Sequence, residues 1–457
     1  MTEKRGETAL DRTIIPLPSL DGELVSDPAS LAAAANDFGN IIHRTPKAIL
    51  RPASVNDIVK TMQYAHDNNL RIAFRGNGHT AYGQSQADEG IVIDVSTLNK
   101  IHSITSDCAV VDAGVVWRDL LQATLAKDLT PPVLTDYTKL TVGGTLSVGG
   151  VSGRSYQLGA QVDNVLELEV VTAEGQIVTC SESKNRDLFE GVLAGLGLCA
   201  VIVRATLRLI PAKKYARTHI LLYPDAPALL NDLRLLVRDK RFDYLRGNGV
   251  AQTSVPAGFV FFIEATSFYT SPDDLPRDPL AGLRFIPGQE QVIDRTYFEY
   301  TDLVVQSLES AGSTNAPHPW LDLFVADSKI DAFASQTIAK LDPALFLPDS
   351  IMLFYPFVKS VLRRPLFITP DEKTFFLFDI LRTVPSDAAI TKEVLAENRS
   401  LFEQNRVLGG SFYPISAIPL ESQDWKKHFQ PSWGQLMGVK RKYDPANLLG
   451  AGTNVFV

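Results

Sequence analysis

The segment 131–153, PPVLTDYTKLTVGGTLSVGGVSG, limits the possible folds of this chain more than any other stretch. Five glycines lie within the eleven residues 143–153, and threonine and serine are interleaved with them. Glycine lets backbone N–H groups approach a ligand closely, and clustered N–H groups bind phosphate oxygens without a metal. The alternative is a pair of tight turns in a β-hairpin, but hairpins seldom need so many glycines. We therefore expect this segment to bind a pyrophosphate.

A second glycine cluster, RGNGHTAYGQ at 75–84, follows a predicted β-α-β unit. AILRP and LRIAFRG predict strands, and Ser54 with Asp57 predicts the start of the helix between them. The glycine spacing is neither GxGxxG nor GxxxxGK[ST], which argues against a nicotinamide site of the Rossmann type and against a nucleoside triphosphatase. Two separate glycine loops indicate one extended ligand that lies between them. A histidine, His79, stands in this loop without a metal-ligand partner beside it.

The composition narrows the class of protein and its partners. The chain has 457 residues and a net charge of -8, which argues against nucleic acid and anionic membranes as partners. Three cysteines do not build a disulfide framework, and with no signal-like start or long apolar run we expect a cytoplasmic protein. The pattern changes near Pro211. We expect an α+β fold with domains at 1–212 and 213–415 and a packed C-terminal segment at 416–457.

Asp136 is a carboxylate in an apolar, charge-poor run just before the glycine-dense segment. If it is buried near a ligand, it could act as a base or anchor a cationic group. A turn-capping aspartate is the structural alternative. The remaining histidines show no ligand spacing, and we expect no metal site.

These residues carry a resemblance to a known family. FRGNGHTAYGQSQADEGIVIDVSTL resembles the flavin-attachment loop of the vanillyl-alcohol oxidase (VAO) superfamily. LTDYTKLTVGGTLSVGGVSG, QVDNVLELEVVTAEG, HPWLDLFV and YDPANLL resemble cytokinin dehydrogenases. The resemblance implies a PCMH-type FAD-binding core at about 43–212, a substrate-binding cap at 213–415, and a segment at 416–457 that returns to the FAD domain.

The resemblance also implies roles for individual residues. His79 would carry FAD covalently through the 8-methyl group, by one bond only, since no cysteine lies at 131–153. Asp136 would accept the proton of the substrate's secondary amine while a hydride leaves the adjacent carbon for the flavin. Other residues would contact FAD: Phe74, Gly76, Asn77, Gly78, Thr80, Gln84, Thr141, Ser147, Val151, Ile202 and Tyr413.

The match is weaker in the predicted substrate pocket. Trp320 and Pro356 match pocket residues, whereas Asp322 stands where the family has asparagine and Arg246 where it has glutamate. Asp322 could compensate for the reversed charge, the two could pair, or Arg246 could be a solvated surface residue. Near the C-terminus a family Ser-Pro-Gly-Gln is replaced by residues 450–453, so Asn454 or the backbone would have to substitute.

Three hypotheses follow. The first is an FAD-dependent oxidoreductase that oxidises the allylic secondary amine of a prenylated adenine (an isoprenoid cytokinin), with hydrolysis of the imine to adenine and an aldehyde. The second is an FAD oxidase of the same fold acting on a sugar, an alcohol or another amine. The third is a catalytically idle flavin-binding protein. The sequence does not choose between oxygen and a quinone as the electron acceptor, and it does not fix the oligomeric state.

Overall fold

The computed structural model describes residues 19–252, 257–311 and 315–456. The predicted first domain is therefore described from residue 19 onward, and residues 1–18 lie outside the described part. Among the helices of these ranges, none has the length and apolar character needed to cross a bilayer. The helices are α1 (Pro28–Ala34), α2 (Val55–Asp67), α3 (Trp117–Leu125), α4 (Val142–Leu146), α5 (Ser155–Leu158), α6 (Arg186–Val192), α7 (Ala226–Asp239), α8 (Tyr297–Thr301), α9 (Leu303–Ala311), α10 (Asp327–Ile338), α11 (Ala388–Val407), α12 (Ser422–His428) and α13 (Trp433–Tyr443).

A four-stranded sheet holds the loop that carries His79. Its order is β1-β2-β4-β3, with β2, β4 and β3 parallel. The predicted β-α-β unit is present, and Ser54 and Asp57 form the capping box that begins α2. The two strands of the unit are separated by β4 rather than adjacent. The strands are β1 (Glu23–Val25), β2 (Ala48–Arg51), β3 (Ile72–Arg75) and β4 (Ile91–Asp94).

A five-stranded antiparallel sheet, in the order β5-β6-β10-β8-β9, packs beside the glycine-dense segment. The sequence NVLELEVVTAEGQIVTCS at 164–181 predicts a hairpin with its turn at Glu174-Gly175, and β8 and β9 form it. Gly175 takes a φ of 77° in the turn, a conformation that favours glycine. Part of the glycine-dense segment forms α4, so the alternative of a simple β-hairpin is wrong. The strands are β5 (Ile101–Ile104), β6 (Cys108–Asp112), β7 (Leu129–Thr130), β8 (Val165–Thr172), β9 (Ile177–Ser181), β10 (Ala200–Arg208) and β11 (Ile210–Pro211), of which β7 pairs with β11.

An eight-stranded antiparallel sheet follows in the chain, in the order β15-β12-β14-β13-β17-β18-β16-β19. Successive side chains of its strands point to opposite faces, and most are buried on both faces in β16, β17 and β18. Helices cover one face, and the other looks toward the glycine loops. Fully buried phenylalanines such as Phe354, Phe376 and Phe378 form part of its core. The strands are β12 (Tyr215–Tyr223), β13 (Tyr244–Gln252), β14 (Gly258–Tyr269), β15 (Gln291–Thr296), β16 (Leu321–Ala326), β17 (Ile351–Val358), β18 (Thr374–Leu381) and β19 (Ser411–Phe412).

The C-terminal residues contact the first sheet. Leu449 forms a parallel bridge with Ile72 of β3. Arg44 donates from Nη1 to the carbonyls of Gly83 and Gly452, at 3.0 and 3.1 Å. The end of the chain is thereby held against the loop that carries His79.

Candidate active site

A cavity of about 620 Å³ lies between the glycine loops and the face of the eight-stranded sheet that carries Asp322, Tyr355 and Asp379. Its volume is in the range of sites for cofactors and small molecules. It brings together side chains from segments far apart in the chain. Nearly all of the predicted site residues line it: Phe74, Gly76, Asn77, Gly78, His79, Thr80, Gln84, Asp136, Thr141, Ser147, Val151, Ile202, Arg246, Trp320, Asp322 and Tyr413.

Pro356 is the exception among the predicted pocket residues. The residues of β17 that line the cavity are Ile351, Leu353 and Tyr355, and successive side chains of a strand point to opposite faces. Pro356 is therefore buried on the other face of the sheet. The side chain that enters the cavity next to it is Tyr355.

The two glycine loops approach each other closely. A Cβ on Gly76 would lie 2.2 Å from Thr141 Oγ1, so only glycine fits there without movement. Gly78 takes a φ of 64°, and its carbonyl accepts from the backbone of Phe38, away from the cavity. Within the described ranges the N–H groups of residues 77–80 donate no hydrogen bond to the protein. These donors are free to bind a diphosphate.

The second loop is ordered by side-chain contacts. Thr141 caps α4 by accepting from the Gly144 N–H at 3.3 Å, and Ser147 donates to the Gly143 carbonyl at 2.7 Å. The Gly150 N–H donates to the Tyr413 hydroxyl oxygen at 2.9 Å. This contact joins the loop to the end of the eight-stranded sheet.

His79 sits among aromatic rings in the cavity wall. Its ring centroid lies 4.1 Å from that of Phe38 and 5.0 Å from that of Tyr137, and Trp320 meets it edge-on at 5.6 Å. Burial, and then the nearby His318, lower the pKa of His79 to about 4. The imidazole is therefore neutral near pH 7, with a lone pair on one ring nitrogen. A neutral imidazole can act as a nucleophile.

Asp136 accepts hydrogen bonds from three side chains. Tyr244 donates to both carboxylate oxygens at 2.7 and 2.8 Å. Tyr355 and Arg246 both donate to Oδ2, at 2.5 and 2.6 Å. Among the described residues Oδ1 has only the shared Tyr244 contact, so it keeps the capacity to accept a further donor from the cavity. Burial, and then the charge of Asp136, hold the pKa of Tyr244 and Tyr355 well above the usual range, so both stay protonated.

Arg246 balances two carboxylates. Besides Asp136 it binds Glu264, which lies directly opposite on β14, with 2.8 Å from Nε to Oε2 and a second contact through Nη2. Its side chain is 17% exposed. Burial lowers the pKa of Arg246, but Glu264, Tyr244, Asp136 and Tyr355 together outweigh burial, so the pKa is raised well above its usual value. Two interpretations of the sequence are therefore wrong: Arg246 is not a solvated surface residue, and it does not pair with Asp322.

Asp322 pairs with another carboxyl group instead. It lies directly opposite Asp379 in the β16–β18 ladder, and the two side chains share a hydrogen bond. Ser416 donates to Asp322 Oδ2 at 3.0 Å. Burial raises the pKa of Asp322 to about 7, and burial with the neighbouring Asp322 holds the pKa of Asp379 well above its usual range. The pair therefore holds a shared proton near neutral pH.

Four of these side chains were missed by reasoning from the sequence: Tyr244, Glu264, Tyr355 and Asp379. Asp379 had a signal, because it is a lone carboxylate within the apolar run TFFLFDIL. Tyr355 is adjacent to the predicted Pro356 and differs only in the face to which it points. Tyr244 and Glu264 had none, because only the pairing of β13 with β14 and the fold around Asp136 bring them into the site.

The last predicted feature concerns the segment 450–454. Gly450 and Thr453 line the cavity. Asn454 is not among the cavity-lining residues of the described part of the chain. The segment therefore meets the cavity through Gly450 and Thr453 and not through Asn454.

The fold and the site define a VAO-type, FAD-dependent oxidoreductase. A family model described as an FAD binding domain matches residues 46–181. The fold resembles that of 6-hydroxy-D-nicotine oxidase from Arthrobacter nicotinovorans, with a TM-score of 0.75, 21% identity, and 97% of this chain and 99% of that chain covered. It also resembles a VAO-type flavoprotein from Myceliophthora thermophila, with a TM-score of 0.71, 20% identity, and 90% and 80% of the two chains covered.

Within that class the chain belongs to the cytokinin dehydrogenase family. A model described as cytokinin dehydrogenase 1, FAD and cytokinin binding, matches residues 251–456. An uncharacterized oxidoreductase of the fasciation locus of Rhodococcoides fascians is 36% identical, over 93% of this chain and 97% of that protein. Cytokinin dehydrogenase 9 of Oryza sativa subsp. japonica is 34% identical, over 96% of this chain and 91% of that protein.

Proposed function

We propose that the protein oxidises the allylic secondary amine of a prenylated adenine and that His79 carries FAD covalently. The observation that carries the proposal concerns Asp136, which lines the same cavity as the two glycine loops. Its Oδ1 has one donor among the described residues and can accept another. The family supports the choice of substrate, since relatives about one-third identical are named cytokinin dehydrogenases.

FAD, when bound, supplies the hydride acceptor. The N–H groups of residues 77–80 and the hydroxyls of Thr141 and Ser147, which belong to residues that line the cavity, would hold its phosphates and ribityl chain. Loss of a hydride from the carbon and of the N–H proton from the amine leaves an imine, which water hydrolyses to adenine and an aldehyde.

Asp136 has the role of base for that proton. Tyr355 and Arg246 both donate to Oδ2, which restricts rotation of the carboxylate, and among the described residues only Tyr244 donates to Oδ1. A positioned general base contributes about 100- to 10,000-fold in rate. Arg246 lies 2.6 Å from Oδ2 and is the counter-ion of this carboxylate.

The neutral His79 supports the covalent link. Its lowered pKa leaves a free ring nitrogen at neutral pH, and the rings of Phe38 and Tyr137 restrict its orientation. No cysteine lines the cavity among the described residues, so a second link through sulfur has no candidate there.

The test is anaerobic mixing of the yellow protein with isopentenyladenine, followed at the visible flavin band. We expect rapid bleaching in the wild type and, for Asp136→Asn, bleaching slower by about 100-fold or more. Asp232→Asn is the matched control, because Asp232 is a buried carboxylate that also accepts from a tyrosine, Tyr223, but lies outside the cavity. A flavin that dithionite reduces but isopentenyladenine does not would contradict the proposal.

A further inference from the structure

The Asp322–Asp379 pair has no part in the reaction described above. Both carboxyl groups line the cavity, and their side chains are almost fully buried, with exposures of 1% and 4%. Buried carboxyl groups usually have partners for every oxygen. Asp322 accepts from Ser416 and shares a proton with Asp379, and Oδ1 of Asp379 is buried and accepts from no N–H or hydroxyl group of the other described residues. Oδ1 therefore has the capacity to accept from a ligand donor.

We propose that the Asp322–Asp379 pair is a substrate-binding site, in which Asp379 Oδ1 accepts a hydrogen bond from an N–H or O–H group of the substrate. The inference rests on the proposed function, which it deepens by assigning a second polar contact to the same substrate. The pair thereby selects ligands that carry a donor away from the oxidised carbon.

The position of the pair relative to Asp136 fits one ligand that spans both. Tyr355, which donates to Asp136, pairs with Leu377 in the β17–β18 ladder, and Asp379 is two residues further along the same face. Strand geometry therefore separates Tyr355, the donor to Asp136, from Asp379 by about 8 Å, and Asp136 is close enough to act on the charge of Asp379. Trp320, Ile351 and Leu381 line the cavity and offer apolar surface to the body of a ligand.

The pair is a good acceptor because it is an anion in an apolar wall. Because the two carboxyl groups share a proton, the pair carries less negative charge than two free carboxylates, and its burial costs less. The pair gains negative charge as the pH rises through about 7. The titratable groups that face it are Asp136, Tyr355 and Tyr413. The two tyrosines have raised pKa values and stay neutral in that range. A donor from the substrate therefore binds more tightly above pH 7 than below it.

The donor could come from either of two parts of a prenylated adenine. One source is an N–H of the ring system, and the other is a hydroxyl on the prenyl tail. Isopentenyladenine has only the first, and its tail-hydroxylated analogue has both. Comparison of the two ligands therefore identifies the source.

The experiment measures binding separately from turnover. Each ligand is titrated by calorimetry into the dithionite-reduced FAD-loaded protein, in which no further hydride transfer occurs, and flavin bleaching is measured on the oxidised protein. For Asp379→Leu we expect Kd to rise about tenfold to a hundredfold, the loss of one hydrogen bond to a charged acceptor. An equal rise for both ligands assigns the ring N–H, and a rise confined to the hydroxylated ligand assigns the tail.

Asp379→Asn keeps the proposal testable if the leucine variant does not fold. Its amide can donate to Asp322 and still present an oxygen to the cavity, so we expect binding close to that of the wild type. The rise in affinity across about pH 6.5 to 8.5 should be present in the wild type and absent in this variant. An unchanged Kd in Asp379→Leu, or the same pH dependence in Asp379→Asn, overturns the inference even if bleaching is normal. If binding depends on Asp379 but neither ligand bleaches the flavin, the inference stands and the proposed reaction is refuted. If neither ligand binds the wild type, the inference is overturned.

Discussion

Arg246 is the counter-ion of two carboxylates, and a double-mutant cycle with Glu264 measures how strongly the site depends on that arrangement. The Arg246 and Glu264 side chains are 17% and 20% exposed and directly opposite each other on β13 and β14. Glu264→Gln removes one negative charge but leaves Arg246 bound to Asp136 at 2.6 Å. We expect a loss of about 2 kcal/mol in the free energy of unfolding, typical of a hydrogen bond to a charged group.

Arg246→Met has a larger expected effect, because it leaves both Asp136 and Glu264 without a cation, and Asp136 shares the cavity with Asp379. Removal of one partner of a buried pair costs about 3–5 kcal/mol. In the double variant Glu264 is neutral, and the two tyrosines still donate to Asp136, so we expect a loss of only about 3–4 kcal/mol. The coupling energy is then about 2 kcal/mol or more.

The assay is urea unfolding of the FAD-loaded proteins at one fixed flavin concentration. The control cycle uses Arg217 and Asp294, a cross-strand pair of the same sheet that is 36% and 46% exposed. Exposed pairs couple by less than about 1 kcal/mol. If the losses for Arg246 and Glu264 add to within about 0.5 kcal/mol, the two side chains do not share an interaction and the reasoning is refuted.

Three further predictions address the cofactor loops and the core. Gly76→Ala should abolish yellow colour in the purified protein, because its Cβ would lie 2.2 Å from Thr141 Oγ1, whereas Gly258→Ala, which has no atom within 4 Å of its Cβ, should purify normally. His79→Ala should still bind FAD, but acid precipitation should release the flavin to the supernatant, where the wild type keeps it in the pellet; release from both proteins would show that no covalent bond exists. The ring of His428 is buried without a partner for Nε2 among the described residues, and burial lowers its pKa to about 3. The unfolded chain takes up the proton first, so stability should fall as the pH drops from about 6.5 toward 3, by up to about 1.4 kcal/mol per unit, and His428→Phe should lessen the fall in acid-unfolding curves.

Much of the flavin-binding half could be predicted because its signals are local. The capping box at Ser54 and Asp57 and the hairpin turn at Gly175 each depend on residues only a few positions apart. The glycine loops could be recognised for a similar reason, since a close backbone approach permits few residue types. The family resemblance then supplied roles for His79 and Asp136 that composition and spacing left open.

The substrate side was harder to predict because its contacts cross between strands. Successive side chains of a strand point to opposite faces of the sheet, so a prediction that is wrong by one position names a residue on the wrong face. Pro356 was predicted to line the pocket, but its neighbour Tyr355 does so. Arg246 could be read as a surface residue, since nothing near it in the chain shows that Glu264 stands opposite and that Asp136 lies within reach.

By itself, the sequence determined the α+β class, the two glycine loops within the FAD-binding domain, and His79 and Asp136 as the candidate residues beside them. Only the tertiary structure decided which charges meet. Asp322 and Asp379 are 57 residues apart in the chain, and the register of β16 against β18 alone puts them side by side. That register is set by the packing of the whole eight-stranded sheet, in which a shift of either strand by one residue would turn its own carboxyl group out of the cavity. The contact of Arg246 with Asp136 also depends on the tertiary structure, because Arg246 is on the sheet, Asp136 is just before the glycine-dense segment, and the two line one cavity.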